Sequence, residues 1–138
     1  MRPTSCITAQ RVTAKQKTVL VADDEPSLRL LVNATIASDQ YAVVEATDGD
    51  EAWQLLLEHQ PEVALLDVQM PGRSGLEIVR AIRNQPQLSG THVVLLTSKA
   101  HDEDIKAGLA AGADRYLTKP FSPLELLTVV EEALGLSS

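Results

Sequence analysis

The sequence predicts an α/β domain: a parallel sheet covered by helices on both faces. Three observations carry this. Five short apolar runs, Thr18–Ala22, Tyr41–Ala46, Val63–Asp67, Thr91–Thr97 and Ala113–Thr118, recur along 138 residues. The segments between and after them carry apolar residues at helical spacing. Polar, chemically active residues gather at the carboxyl ends of the runs, the edge along which open α/β sheets bind ligands.

The length suits one domain, and a hydrophobic fraction of 44% with only 3% aromatics implies a core of Leu, Val, Ile and Ala. Formal net charge is −7, which argues against general nucleic-acid binding. The charge is uneven. Residues 1–17 carry Arg2, Arg11, Lys15 and Lys17 and no acid, whereas the rest sets eight basic residues against all nineteen acids. Cys6 is the single cysteine, so no internal disulfide and no oxidising compartment are indicated. No secretory h-region or run of membrane-spanning length is present, and a cytoplasmic protein is expected.

Residues 1–17 lack periodicity and read as a flexible arm. The first strand, Thr18–Ala22, ends in Asp23-Asp24-Glu25, and Pro26 opens a helix with Leu28, Leu31, Val32, Thr35 and Ile36 at helical spacing to about Ser38. The second strand turns at Asp48-Gly49, where Asp48 caps a helix with Ala52, Leu55, Leu56 and His59 on its buried side, Trp53 at the edge of that face and His59 also at the helix end. Val63–Leu66 runs directly into Asp67 and a Pro-Gly turn, the pattern of a strand buried on both faces. Ser74-Gly75 leads into a helix with Leu76, Ile78, Val79 and Ile82 inside and Arg80 and Arg83 outside.

Pro86, Ser89 and Gly90 break the chain before the fourth strand, with His92 solvated at its start. Asp102 caps a helix to Ala111 with few large anchors, which predicts the least firmly packed helix, and Gly112 follows at the C′ position. The fifth strand is the most polar, as an edge strand would be. Ser122-Pro123-Leu124-Glu125 is a capping box opening the last helix, with Leu124, Leu127, Val130 and Leu134 on one side and Gly135 at its end.

Asp23, Asp24, Asp67, Thr97, Ser98 and Lys119 all fall at strand ends and converge on one edge of such a sheet. Like-charged carboxylates about 4 Å apart cost roughly 4 kcal/mol per pair at an effective dielectric of 20. A hard cation offsets that cost, and Mg²⁺ prefers carboxylate and water oxygens. Lys119 adds positive charge, Thr97 a hydroxyl donor, and Ser98 leaves clearance. Asp67 is then a candidate nucleophile toward phosphorus.

With these residues in order, the chain from Thr18 to Leu134 resembles the receiver domain of two-component response regulators. The matching residues are Asp23-Asp24, Asp67 followed by Met70-Pro71-Gly72 and Gly75, Thr97, and Lys119-Pro120. Any one alone is a weak signal; the ordered set is specific. The resemblance implies a (βα)5 flavodoxin-like doubly wound fold of strand order 2-1-3-4-5, with residues 1–17 as an arm, 18–135 as the receiver and no output domain. It implies phosphotransfer from a histidine kinase or histidine phosphotransfer protein onto Asp67, with Mg²⁺ or Mn²⁺ held by Asp23, Asp24, Asp67 and the backbone carbonyl of Gln69.

It further implies a switch through Thr97, Lys119 and Tyr116, with Tyr116 turning inward, a cis Lys119–Pro120 bond, and a signalling face of the fourth helix, fifth strand and fifth helix. Such a protein catalyses its own phosphorylation and dephosphorylation without turning over a separate small substrate. Gln69 and Lys99 stand where side chains border the hydrolytic water and tune phosphoryl lifetime. Two other readings stand beside this one, the first sharing the carboxylate and Mg²⁺ chemistry and the second the fold. An aspartate-nucleophile phosphohydrolase would usually place an acid at position 69, where this chain has Gln69. A non-phosphorylated interaction module would not need the intact set. No direct nucleic-acid contact or membrane insertion is expected.

Overall fold

The computed structural model describes residues 17–38, 40–98 and 102–134. Strands β1 (Lys17–Ala22), β2 (Tyr41–Ala46), β3 (Val63–Asp67), β4 (His92–Thr97) and β5 (Arg115–Thr118) form one sheet. Its order is β2-β1-β3-β4-β5, and every neighbouring pair is parallel. Helices α1 (Pro26–Ile36), α2 (Gly49–His59), α3 (Gly75–Arg83), α4 (Asp102–Ala111) and α5 (Pro123–Ala133) connect and cover it, with a 3₁₀ turn at Pro86–Leu88. The strand order reverses direction between β1 and β3. That is the topological switch point, where a crevice opens beyond the strand ends.

Strand periodicity divides the core in two. Val19, Val21, Val63, Leu65, Val94 and Leu96 pack with Leu28, Val32 and Ile36 of α1 and Leu126, Val129 and Val130 of α5. The alternate residues Leu20, Ala22, Ala64, Leu66, Val93 and Leu95 pack with Ala52 and Leu56 of α2 and Ile78, Val79 and Ile82 of α3. Both faces are buried, so the strands read as unbroken apolar runs rather than alternating ones. Burying each large aliphatic side chain stabilises the fold by about 1.5–3 kcal/mol.

Local signals set the helix starts. Asp48 Oδ1 accepts the Glu51 N–H at 2.8 Å. Ser74–Glu77 and Ser122–Glu125 each form a reciprocal capping box. In α4 Gly108 is buried, and a Cβ there would lie 2.2 Å from Leu95 Cδ1. The helix therefore approaches β4 closely through its backbone at this residue.

Several expectations change. β1 begins at Lys17, inside the predicted arm, while β4 and β5 begin at His92 and Arg115, one and two residues later than predicted. α1 stops at Ile36. Leu124 is 72% exposed, and α5 instead buries Leu126, Val129 and Val130. Seven apolar residues between positions 124 and 134 offer two overlapping stripes, and period alone does not choose between them. Arg83 is half-buried: its guanidinium donates to the carbonyls of Gly112 and Thr91 and to Asp114 Oδ2. His59, at the end of α2, is exposed rather than buried. His92 is only partly solvated: its side chain is 28% exposed, its Nε2 is buried and, among the described residues, has no hydrogen-bond partner, and its Nδ1 lies 3.9 Å from Asp114 Oδ2. Residues 1–16, Lys99, Gly135 and the side chain of Asp102 lie outside the described residues.

Candidate functional site: an acidic pocket at the switch point

Asp67 ends β3 and keeps the parity of Val63 and Leu65, pointing to the face shared by α1 and α5. Asp23 follows β1, the neighbouring strand on the other side of the switch point. Lys119 follows the edge strand β5 and reaches back over the sheet. Its Nζ lies 2.8 Å from Asp23 Oδ2 and 3.3 Å from Asp67 Oδ2. The turn carrying Lys119 is fixed by its own N–H, which donates to the Thr97 carbonyl at 2.6 Å, and the Lys119–Pro120 bond is cis, as the resemblance implied.

Asp23 is fully buried, and all its polar positions are engaged. Its N–H donates to the Ala46 carbonyl, its Oδ1 accepts the Glu25 N–H, its Oδ2 meets Lys119, and its carbonyl accepts from Arg29 Nη1 at 2.7 Å. Asp67 is 6% exposed, and its Oδ1 accepts the Gln69 N–H at 3.2 Å. Asp24 is exposed and, among the described residues, has no hydrogen bond or ion pair.

Electrostatics follows from this packing. Burial pushes the Asp67 carboxyl above its usual range, and the Asp23 charge adds to the rise; the Gln69 N–H and Lys119 oppose it without cancelling it. Burial pulls the Lys119 ammonium down, but the hydrogen bond to Asp23 and the charges of Asp67 and Asp23 outweigh burial, so its pKa is raised. Among the described residues three acids face one lysine, and an ionised Asp67 is held there at a cost.

The donor set fits a hard divalent cation. One carboxylate oxygen from each of Asp23, Asp24 and Asp67 lies within 4.8 Å of the others, comparable to the roughly 3–4 Å between oxygens around an octahedral Mg²⁺. A groove of about 620 Å³ opens over the acids, lined by Asp24, Asp67, Gln69, Met70, Ser98 and Lys119 among others. Gly75 lets the start of α3 press against the end of β3: a Cβ there would lie 2.5 Å from the Asp67 carbonyl.

The sheet thus brings Asp23, Asp24, Asp67, Gln69 and Lys119 together. Thr97 is buried at the end of β4, one residue beyond Leu96, which pairs with Asp67. Tyr116 lies apart. It pairs with Leu95 within β5, is 43% exposed, and borders a separate hollow with Leu109, Arg115 and Glu125. Sequence reasoning missed Arg29, which fixes the acidic turn. It also missed Arg73, which stacks 5.6 Å from the Trp53 ring centroid and pairs with Asp50 beside the Met70–Ser74 turn. A basic residue in the second turn of a helix that starts at an acidic loop was the available signal for Arg29.

Fold and pocket together define a flavodoxin-like α/β domain with an acidic site at its switch point. The chain belongs to the response regulator receiver domain family, whose model matches residues 19–131. It is 35% identical over 118 residues to the response regulator GtcR of Aneurinibacillus migulanus, and 33% identical over 118 residues to the phosphate regulon transcriptional regulatory protein PhoB of Pseudomonas aeruginosa. Each match covers 86% of this chain but 48% and 52% of those proteins, so the chain spans about half the length of the curated relatives it matches. Among solved structures, the chemotaxis response regulator CheY4 of Vibrio cholerae superposes with a TM-score of 0.80 at 36% identity, covering 86% of this chain and 98% of that one. A putative response regulator from Chloroflexus aurantiacus gives a TM-score of 0.82 at 30% identity, covering 88% and 99%. The fold and family are consistent with two-component phosphorelay signalling.

Proposed function

We propose that the domain accepts a phosphoryl group on Asp67 from the phosphohistidine of a histidine kinase or histidine phosphotransfer protein, and that the change is read by a downstream protein. The observation that carries this is the placement of Lys119, whose ammonium bridges Asp23 and Asp67 at 2.8 and 3.3 Å at the mouth of the groove. An Asp67 oxygen forms the new bond to phosphorus. The phosphorus–nitrogen bond breaks, and its electron pair returns to the histidine ring nitrogen. Lys119 turns toward the added oxygens and neutralises them. Thr97, at the end of β4, offers its hydroxyl to the same group, and Ser98, the next residue, leaves clearance for it.

Asp23, Asp24, Asp67 and the Gln69 carbonyl are the groups proposed to hold Mg²⁺ (or Mn²⁺), with Asp23 also engaged by Lys119. The cation supplies charge neutralisation and alignment of the entering phosphoryl group. Gln69 and Lys99 are proposed to tune phosphoryl lifetime. The surface of α4, β5 and α5, with Lys106, Arg115 and Tyr116 exposed beside Glu103, is the proposed output face. Among the described residues no helix is long and apolar enough to cross a membrane. Incubation with Mg²⁺ and a small acyl-phosphate donor, followed by intact-mass measurement, is expected to add one phosphoryl group to the parent and none to Asp67→Asn. Equal modification of both proteins would falsify the assignment of Asp67.

A further inference from the structure

Arg29 lies in the second turn of α1, six residues beyond Asp23. Its side chain is only 15% exposed, although the residue belongs to a surface helix. The guanidinium bridges two elements. Nη1 donates to the Asp23 carbonyl at 2.7 Å, and Nε pairs with Glu45 Oε1 of edge strand β2 at 3.3 Å. The other Glu45 oxygen accepts from Asn33 Nδ2 at 3.0 Å, one helical turn further along α1. Arg29 is therefore braced from β2, and its free end is spent on a single backbone oxygen. That oxygen belongs to the peptide group joining the buried Asp23 to the exposed Asp24.

Among the described residues no other donor is found on that carbonyl, and the N-cap residue Glu25 makes no side-chain capping bond that would stiffen the turn. Fixing the oxygen fixes the peptide plane. The plane then decides whether Asp23 can face inward to Lys119 while Asp24 faces the groove. Resting on the proposed Mg²⁺ site, we infer that Arg29 is a positioning residue for that site: by holding the Asp23–Asp24 peptide group against the Glu45 brace, it presets where Asp24 presents its carboxylate. Partners of this kind outside the ligand shell typically change metal affinity by about 10- to 100-fold.

The inference has a sign that charge alone does not share. Removing a positive charge near a dication site should tighten cation binding by Coulomb's law. Loss of positioning should weaken it. Mn²⁺ affinity, read by water proton relaxation at a temperature well below unfolding, is expected to fall about tenfold in Arg29→Met. Arg29→Lys, which keeps the charge and one donor, is expected to recover part of that loss. A merely structural arginine would lower the melting temperature and leave the dissociation constant alone. Unchanged or tighter binding by folded Arg29→Met overturns the inference. Should that variant fail to fold, the parent carries the test. The Asp23 carbonyl carbon and Arg29 Nε–H resonances are expected to shift with Mg²⁺ on the isotherm of Asp24, and resonances that stay put overturn it. Failure of the parent to bind Mn²⁺ or Mg²⁺ at all would instead remove the proposed metal site itself.

Discussion

The two ends of the sheet each hold a cluster of ions, and the clusters are built on opposite terms. At the amino ends of β4 and β5, one arginine meets one aspartate. Arg83 Nε and Nη1 donate to the Gly112 and Thr91 carbonyls at 2.8 and 3.1 Å, and Nη2 reaches Asp114 Oδ2 at 2.8 Å. That same oxygen accepts the Val93 N–H at 2.8 Å. Charge is balanced, and α3, the end of α4 and the starts of β4 and β5 are tied together. At the carboxyl ends, Asp23, Asp24 and Asp67 face Lys119 as the one cation among the described residues that pairs with their carboxylates, and burial raises the Asp67 pKa. One end is closed on itself. The other is left short of positive charge, which is what an incoming cation would supply.

The contrast can be broken by experiment. The largest expected effect is at the closed end. Arg83→Met strands two carbonyls and Asp114, and should lower unfolding stability by about 2 kcal/mol in a denaturant titration, while phosphoryl uptake per folded molecule stays at the parent level. A comparable loss of uptake would show that the two ends are not separable. At the open end the sign reverses. Mg²⁺ at about 10 times its dissociation constant should raise stability by about 1.4 kcal/mol, and this gain should persist in Arg83→Met but vanish in Asp67→Asn.

The smallest effect is on pH dependence without metal. Because the folded-state pKa of Asp67 is raised, the folded protein holds that proton more tightly than the unfolded chain does. Ionised Asp67 then costs stability at neutral pH, and the cost fades as pH falls through the raised value. Asp67→Asn should therefore be more stable than the parent at pH 7, with the gap closing toward acid; a gap that widens would contradict the charge deficit. Lys119 acts at the other extreme. Its raised pKa makes its contribution complete below 10.5 and lost as pH climbs through the folded value.

Much of this was legible in the chain because burial writes itself plainly. Apolar runs ending in Asp67 or Asp23 located both the strands and the pocket, and Asp48 and Ser122 marked helix starts through short-range bonds. What periodicity could not convey is how far a long side chain reaches. Arg83 sits on the polar side of its helix, where periodicity points it outward, yet its stem spans to the carbonyls of Thr91 and Gly112. Arg29 escapes periodicity for the same reason: its partners, Asp23 and Glu45, lie on other elements. Leu124 misled in the opposite sense, since an apolar residue in a first helical turn need not face the sheet, and here it is 72% exposed.

The bond between Lys119 and Asp23 joins residues 96 positions apart. Synthesised from its amino terminus, the domain therefore makes its acids before the ammonium that bridges two of them, and a chain clipped before residue 119 would hold Asp23 and Asp67 unbridged.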